Sequence, residues 1–292
     1  MNVGVSAYNL RIADLVATAV AADEAGFSSL WLGEHLVLPC DYEAVHPAQG
    51  GADAAQRRHP RIIDLETELL DPFVALSAAA ALTSRIQLAT GIYLLPMRHP
   101  LLTARAAASL ADLSGDRFML GVGSGWLSEE FDAFGIPFAS RTGRYEESLK
   151  VLRAAFRGGP FEHDGTHYRF RRVQVSPRPV VVPLVLGGNS DSALRRAALL
   201  ANAWFASGNP TFDEAVTLRA RLMEICAEHG RAHIDCHVRM AALDPTAAAR
   251  YEEAGFQSVL VWAEDICPPG EHDRRAAFRR VAEQFGLQCA SV

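Results

Sequence analysis

Short apolar segments alternate with longer helical segments along almost the whole chain. The apolar segments have the length and composition of buried parallel strands. Eight of them are predicted: Val3–Ser6, Ser28–Leu32, Arg85–Thr90, Phe118–Val122, Pro183–Leu186, Ala203–Ala206, Ile234–Met240 and Ser258–Trp262. Eight strand–helix units in a chain of 292 residues predict a (β/α)8 TIM barrel rather than a doubly wound sheet.

The intervening helices carry recognisable start signals. Asp71 and Pro72 are residue types preferred at the N-cap and in the first turn of a helix. Thr211 and Glu214 have the spacing of a capping box. A further helix is predicted over Tyr145–Phe156. These signals support an alternating α/β order.

A short internal repeat is consistent with this architecture. Glu24–Phe27 and Glu253–Phe256 both read Glu-Ala-Gly-Phe, and each joins a helix end to the start of a strand. Such repetition is expected of a barrel built from similar units. Because no linker or low-complexity tract divides the chain, a single domain over residues 1–292 is predicted.

Two segments interrupt the alternation. Leu36–Leu70 is a long polar loop directly after the second strand, and loops of this length tend to be lids or binding loops. Phe161–Val175 contains Asp164-Gly165 between two segments that carry aromatic residues. This pattern predicts a small β-hairpin inserted before the fifth strand.

Composition and charge exclude several classes of protein. The net charge is −6 and the arginines are scattered, which argues against nucleic-acid binding. The five cysteines show no Cys-x-x-Cys spacing, so neither a disulfide framework nor a zinc site is expected. The longest apolar run, Phe73–Leu82, is too short to cross a bilayer, and the first ten residues do not resemble a signal peptide. A cytoplasmic protein without membrane partners is therefore predicted.

Active sites of TIM barrels lie at the carboxyl ends of the strands. The residues that follow the predicted strands are therefore the candidates for a functional site. They are Ser6, Tyr8, Glu34, His35, Thr90, Gly91, Ile92, Gly123, Ser124, Trp126, Gly187, Gly188, Asn189, Ser190 and Ser207.

Glu34 and His35 form the pair with the clearest chemistry. A histidine at a barrel mouth can donate a hydrogen bond or transfer a proton near neutral pH, and an adjacent acid can bind or tune a ligand. The alternative is that His35 only caps the strand or pairs within its loop. We interpret Glu34 and His35 as catalytic candidates.

Two glycine-rich segments suggest backbone contact with a ligand. Gly187–Ser190 ends a strand and opens a helix, whose free N–H groups favour a phosphate, although an ordinary capped turn has the same pattern. Gly121–Gly125 lacks the spacing of a dinucleotide or P-loop motif because Trp126 follows it. Its flat backbone suits a planar ring or close helix–strand packing. Trp126 is either a wall of the substrate pocket or an interface residue.

Several stretches resemble the bacterial luciferase-like family, and within it the deazaflavin (coenzyme F-420)-dependent oxidoreductases. The stretches occur in the order expected for that family and cover most of the chain up to about Gly208. They are Ala22–Trp31 leading to Glu34-His35, Arg98-His99-Pro100, Leu113–Phe118 leading to Gly121–Trp126, Glu129-Glu130-Phe131, and Gly187-Gly188-Asn189.

The resemblance implies an isoalloxazine-type ring across the strand ends. It places His35 near the reactive edge of the ring and Glu34 at its polar end. Thr90-Gly91-Ile92, a segment that often contains a non-proline cis peptide in this family, would line one face. Gly187–Ser190 would hold the cofactor phosphate, and Ser6, Gly123, Ser124 and Ser207 would complete the cofactor site. A homodimer is also implied.

Two features depart from the pattern of the family. Trp126 stands where relatives often carry an acid or a small residue, so a proton donor at that strand is not identified. Deazaflavin enzymes often bind an acidic cofactor tail with basic side chains. Arg57, Arg58 and Arg61 in the long loop are the candidates here.

The resemblance is compatible with two reactions. With F-420, the protein would transfer a hydride to or from a small organic substrate. With reduced FMN, it would act as a monooxygenase and need a flavin reductase as partner. A flavin-binding protein without turnover is a further alternative. A metal-dependent barrel hydrolase is disfavoured because no His-x-His motif or acidic cluster follows the strands.

Overall fold

The computed structural model describes residues 1–43 and 65–288. Its centre is a closed barrel of eight parallel strands. Those strands are β1 (Asn2–Ala7), β2 (Ser29–Leu32), β3 (Gln87–Thr90), β5 (Phe118–Gly123), β8 (Leu184–Gly187), β9 (Ala203–Phe205), β10 (Asp235–Arg239) and β11 (Ser258–Trp262). Pairing of β1 with β11 and of β3 with β5 closes the sheet, which confirms the predicted (β/α)8 TIM barrel.

The remaining strands lie outside this ring. The two-residue strand β4 (Tyr93–Leu94) pairs with the end of β5 and has no counterpart in the sequence prediction. The predicted hairpin before the fifth barrel strand is confirmed: β6 (Phe161–Asp164) and β7 (Arg169–Val173) pair antiparallel. Residues 44–64, which form most of the long predicted loop after β2, lie outside the described part of the chain.

Helices surround the barrel and cover its outer face. The larger ones are α1 (Ile12–Ala25), α2 (Pro72–Leu82), α3 (Pro100–Ser114), α5 (Arg141–Phe156), α6 (Asp191–Leu200), α7 (Phe212–Glu228), α8 (Pro245–Glu253) and α10 (Arg274–Gln284). Two short helices, α4 (Ser128–Ala133) and α9 (Ala263–Ile266), follow β5 and β11 directly. In the described residues, no helix is both long and apolar enough to cross a membrane.

The predicted helix starts are largely confirmed. Asp71 accepts hydrogen bonds from the backbone N–H groups of Phe73 and Val74, and Thr211 and Glu214 form the capping box. Helix α5 begins at Arg141, four residues before the predicted Tyr145. The apolar periodicity starts only at Tyr145, whereas a preceding 3-10 turn over Phe138–Ser140 already sets the backbone in helical conformation.

The apolar core has two layers. A large cluster fills the space between the strands and the helices. A second cluster fills the interior of the barrel and consists of Trp31, Ala89, Met119, Val185, Ala203, Phe205 and Leu260. The rings of Trp31 and Phe205 stack with centroids 5.4 Å apart. The barrel interior is therefore packed, and it forms a rigid base beneath the strand ends.

His237 is a buried ionisable group within this interior. Its ring lies 5.2 Å from that of Trp31, and its Nδ1 is 2.5 Å from Oγ of Ser258. Burial lowers the pKa of His237 from 6.5 to about 4. Between these pH values the unfolded chain binds more protons than the folded protein, so folding stability decreases as the pH falls.

We expect His237 to make the protein acid-sensitive. The free energy of unfolding should fall by about 3 kcal/mol between pH 6.5 and pH 4 because of this residue. Urea unfolding across this range should show a shallower pH dependence for His237→Gln. The exposed His233, mutated to Gln, is the control and should keep the wild-type slope. Equal slopes for the wild type and His237→Gln would refute the assignment.

Candidate active site

A cavity of about 1570 Å³ opens at the carboxyl ends of the barrel strands. Pockets for single small ligands measure roughly 300–1,000 Å³, so this one has room for a cofactor and a second molecule. All but one of the predicted site residues line it: Ser6, Tyr8, Glu34, His35, Gly91, Ile92, Gly123, Ser124, Trp126, Gly187, Gly188, Asn189, Ser190 and Ser207. Thr90 is fully buried behind the wall, where its hydroxyl donates to the carbonyl of Gly121 at 2.7 Å.

His35 is held by a carboxylate that the analysis of the sequence did not select. Glu130, on the short helix α4, is 1% exposed, and its Oε2 lies 3.0 Å from Nδ1 of His35. Its other oxygen accepts hydrogen bonds from the backbone N–H groups of Leu36 and Val37. A carboxylate only accepts, so neutral His35 carries its proton on Nδ1 and leaves Nε2 as an acceptor for a ligand.

Aromatic side chains surround His35. The rings of Tyr8 and Trp126 meet the imidazole edge-on at centroid distances of 6.3 Å and 6.0 Å. Burial, together with the charge of Glu130, raises the pKa of Tyr8, so its phenol stays protonated and can donate a hydrogen bond. Tyr42 packs against Trp126 at 6.4 Å. Trp126 thus forms part of the cavity wall, and its role in a substrate pocket stays a prediction.

Glu34 is bound by two protein donors. Its Oε1 is 2.5 Å from Nη2 of Arg98, and its Oε2 accepts from the backbone N–H of Leu94 at 2.8 Å. Burial raises the pKa of Glu34, and the charge and hydrogen bond of Arg98 oppose that rise. The guanidinium of Arg98 also lies over the ring of Tyr93, 4.3 Å from its centroid. Glu34 therefore ties the end of β2 to the segment after β3.

Gly91, Ile92 and Leu94 of that segment line the same cavity as His35. The peptide between Gly91 and Ile92 is cis, as the resemblance implied. Ile92 lies over Gly123, where an added Cβ would come within 2.4 Å of Cδ1 of Ile92. At Gly91, a Cβ would lie 3.2 Å from that of Trp31. Gly123 therefore leaves room for the side chain of Ile92, and Gly91 packs tightly against Trp31. The cis peptide and the side chain of Ile92 form a surface that could support one face of an isoalloxazine-type ring.

The adjoining part of the cavity, at the end of β8, has the features of a phosphate site. Gly188 has a φ of 117°, and Ser190 caps helix α6 by accepting from the N–H of Ala193. The side chain of Asn189 exchanges two hydrogen bonds with the backbone of Ser207, at 2.9 Å and 3.0 Å. This link fixes the loops after β8 and β9, and the helix start faces the cavity.

Two arginines line the cavity in this region and were not predicted. Arg141 begins helix α5 and stacks on Phe138, with its guanidinium carbon 3.8 Å from the ring centroid. Arg196 lies on α6, 3.3 Å from Oε1 of Glu146. Arg57, Arg58 and Arg61, the predicted candidates for an acidic cofactor tail, lie outside the described residues, whereas Arg141 and Arg196 line the described cavity.

A third arginine lies on the far wall. Arg239, near the end of β10, is 8% exposed, and its Nε donates to Oγ of Ser6 at 3.0 Å. Its guanidinium packs over Trp262 and Phe205, 4.2 Å and 5.3 Å from the ring centroids. Burial lowers the pKa of Arg239 to about 10, which still leaves it charged at neutral pH.

The described residues provide no cluster for a metal ion. Within residues 1–43 and 65–288, no group of three or more His, Cys, Asp or Glu side chains is arranged to hold one. The residues that line the cavity can offer proton transfer at His35, hydrogen bonding, and binding of anions by arginine.

The structure is thus a TIM barrel with a cavity at the carboxyl ends of its strands that is partly lined by glycines. The sequence matches the luciferase-like monooxygenase family over residues 2–280. The chain belongs to that family, whose members are oxidoreductases. This membership confirms the resemblance found in the sequence.

Individual relatives support the same placement. Rv0940c of Mycobacterium tuberculosis is 31% identical over 248 residues, 83% of this chain and 82% of that protein. The F-420-dependent glucose-6-phosphate dehydrogenase of Beutenbergia cavernae is 31% identical over 250 residues, 82% of this chain and 67% of that protein. The solved structure of the monooxygenase RslO1 from Streptomyces bottropensis has a TM-score of 0.74 at 18% identity, covering 97% of this chain and 98% of that chain, which shows a shared fold.

Proposed function

We propose that this protein is an F-420-dependent oxidoreductase that transfers a hydride between the deazaflavin and a small organic substrate. The observation that carries the proposal is the His35–Glu130 pair, whose imidazole lines the same cavity as Gly91, Ile92 and Gly123. A relative 31% identical to this chain depends on F-420, which favours this cofactor.

The residues of the cavity fit such a cofactor. Gly91, Ile92 and Gly123 would support one ring face, with Thr90 fixing the wall from behind. Ser6, Ser124 and Ser207 would offer hydroxyl groups to the ring and the ribityl chain. The phosphate would lie at Gly187–Ser190, and Arg141 and Arg196 would neutralise its charge.

The bound deazaflavin supplies the hydride donor or acceptor, and the protein supplies orientation and proton transfer. His35 would hold or move a proton at Nε2, because Glu130 occupies Nδ1. Tyr8 would donate its phenolic proton in a hydrogen bond to the substrate. Trp126 and Tyr42 would exclude water from the reacting atoms. Glu34 would act through Arg98 and Leu94 by fixing the ring wall.

A monooxygenase that uses reduced FMN is the second candidate. The family and the structural neighbour RslO1 favour it, because both carry that activity in their names. This function would require a flavin reductase as partner. The third candidate is a protein that binds a flavin but catalyses no reaction. In that case, no substitution of His35 would change a reaction rate.

Calorimetric titration of the apo-protein with F-420 and, separately, with FMN tests the assignment. Tight binding of F-420 with weak binding of FMN is the expected result. The reverse preference would establish the monooxygenase reading, and binding of neither would overturn the cofactor site. If a cofactor binds and His35→Asn leaves turnover unchanged, the proposed catalytic role is wrong.

We also propose that the protein forms a homodimer through helices α2 and α3. These neighbouring helices expose large apolar side chains: Val74, Leu82, Leu102 and Leu113. Exposed apolar patches on adjacent helices mark association surfaces. Sedimentation equilibrium should give twice the chain mass, and Leu102→Asp, at a side chain 69% exposed, should shift it to the monomer. A wild-type monomer would contradict the proposal.

A further inference from the structure

Arg239 is a buried cation whose charge is not balanced in the described structure. Its Nε–Ser6 Oγ contact is the hydrogen bond described for it, and within residues 1–43 and 65–288 no carboxylate forms an ion pair with it. It nevertheless lines the cavity. A buried guanidinium without a counter-charge is costly, and an anionic ligand bound beside it would offset that cost.

The orientation of the guanidinium is fixed by its neighbours. Ser6 holds the Nε edge, and Trp262 and Phe205 pack near its plane. The two terminal nitrogens, Nη1 and Nη2, remain for the cavity. A guanidinium presented in this way matches the two oxygens of a carboxylate, because the paired N–H groups form two parallel hydrogen bonds.

Arg239 lies across the barrel from the proposed ring wall, although its partner Ser6 is also a proposed cofactor contact. In the closed order of strands, β10 lies diametrically opposite β3, which leads into the ring wall at Gly91. The phosphate end of the cavity belongs to β8 and α6, with Arg141 and Arg196 nearby. Arg239 therefore lies on the wall that faces the cofactor across the remaining space.

We propose that Arg239 binds the carboxylate group of the substrate, so that the protein acts on small organic acids. This inference rests on the proposed oxidoreductase function and names its substrate class. Phe205 and Trp262 flank the cation and provide apolar contacts for the carbon skeleton of an acid. Ser6 orients the guanidinium, and His35 lies in the same cavity for the proton that accompanies hydride transfer.

Binding of matched acids and amides tests this proposal without any need for turnover. Acetate, hexanoate and benzoate, each with its amide, would be titrated calorimetrically into the protein saturated with F-420. At least one acid should bind, and its amide should bind more weakly. Arg239→Gln should weaken binding of the acid by at least about 30-fold, the loss expected when one member of a buried charge pair is removed.

The variants include their own controls. Arg274 also lines the cavity but already pairs with Asp14 at 3.1 Å, so Arg274→Gln should leave acid binding unchanged. Arg239→Lys keeps the charge and should retain part of the affinity. Thermal unfolding should show that Arg239→Gln is at least as stable as the wild type, since it removes a buried unpaired charge.

Three outcomes would overturn the inference. Acids and amides could bind equally well, or Arg239→Gln could bind acids as the wild type does. The variant could also lose affinity for F-420 itself, more for its reduced than its oxidised form, which would assign the cation to the cofactor ring. If the wild type binds neither F-420 nor FMN, the proposed function fails, and the same titrations on the apo-protein still test the carboxylate site.

Discussion

Exchange of Glu130 for glutamine should lower turnover by about 10²- to 10⁴-fold, the usual contribution of a positioned acid–base group. Glutamine keeps an oxygen for the backbone N–H groups of Leu36 and Val37, so the loop after β2 should stay in place. Its amide N–H₂ group, however, would face Nδ1 of His35. In the wild type, that nitrogen lies 3.0 Å from a carboxylate oxygen of Glu130. That exchange reverses the preferred tautomer and puts the proton on Nε2.

The effect on His35 can be measured independently of any substrate. Nitrogen-15 NMR of the imidazole should show the proton on Nδ1 in the wild type and on Nε2 in Glu130→Gln. Glu129→Gln is the matched control, because the carboxylate of Glu129 accepts a hydrogen bond from the backbone N–H of Glu43 and not from His35. Unchanged turnover and an unchanged tautomer in Glu130→Gln would show that Glu130 only anchors the loop.

The positions of the strands in the sequence were predictable because a parallel barrel buries both faces of its strands. Apolar runs such as Phe118–Val122 therefore stand out from the amphipathic helices between them. Ile234–Met240 was harder to recognise, since β10 contains Asp235, His237 and Arg239. Four of its five residues are nonetheless buried, and its polar side chains find partners or the cavity inside the barrel.

The candidate site was predictable where it depends on the ends of strands, and less so where it depends on distant contacts. His35 follows β2 directly, so the barrel rule identified it. Its partner Glu130 lies 95 residues away on a short helix, and Ser6 and Arg239 are 233 residues apart. The segment Glu129-Glu130-Phe131 marked the family, but only the geometry of α4 shows which acid points at His35.

Long-range contacts also explain why some predicted site residues bind other parts of the protein. Thr90 and Asn189 were predicted as site residues from their positions after strands. The hydroxyl of Thr90 instead donates to a backbone carbonyl within the cavity wall, and the side chain of Asn189 links the loops after β8 and β9. Both contacts are long-range, and no local pattern encodes them. Glu34 is similar: its place after β2 was predictable, whereas its pairing with Arg98 depends on how the segment after β3 returns to the barrel.

Replacement of Arg98 by methionine should destabilise the fold by about 3–5 kcal/mol, because it leaves a buried carboxylate without its counter-charge. The side chain of Glu34 is 1% exposed, and only the N–H of Leu94 would remain bound to it. Residues 91–94, which form the proposed ring wall, should become less ordered when Arg98 is replaced. Cofactor affinity should therefore fall as well. Urea unfolding and calorimetry with F-420 measure the two effects.

The pH dependence identifies the cause of this destabilisation. Burial raises the pKa of Glu34 and Arg98 opposes the rise, so in Arg98→Met the folded protein should take up a proton that the unfolded chain does not hold. The deficit in stability should therefore shrink as the pH falls and grow towards neutral pH. The double variant Glu34→Gln/Arg98→Met should recover most of the loss, while the exposed Arg105, changed to Met, should have little effect. A deficit independent of pH and not relieved in the double variant would mean that packing of Arg98 on Tyr93, rather than charge pairing, maintains this wall.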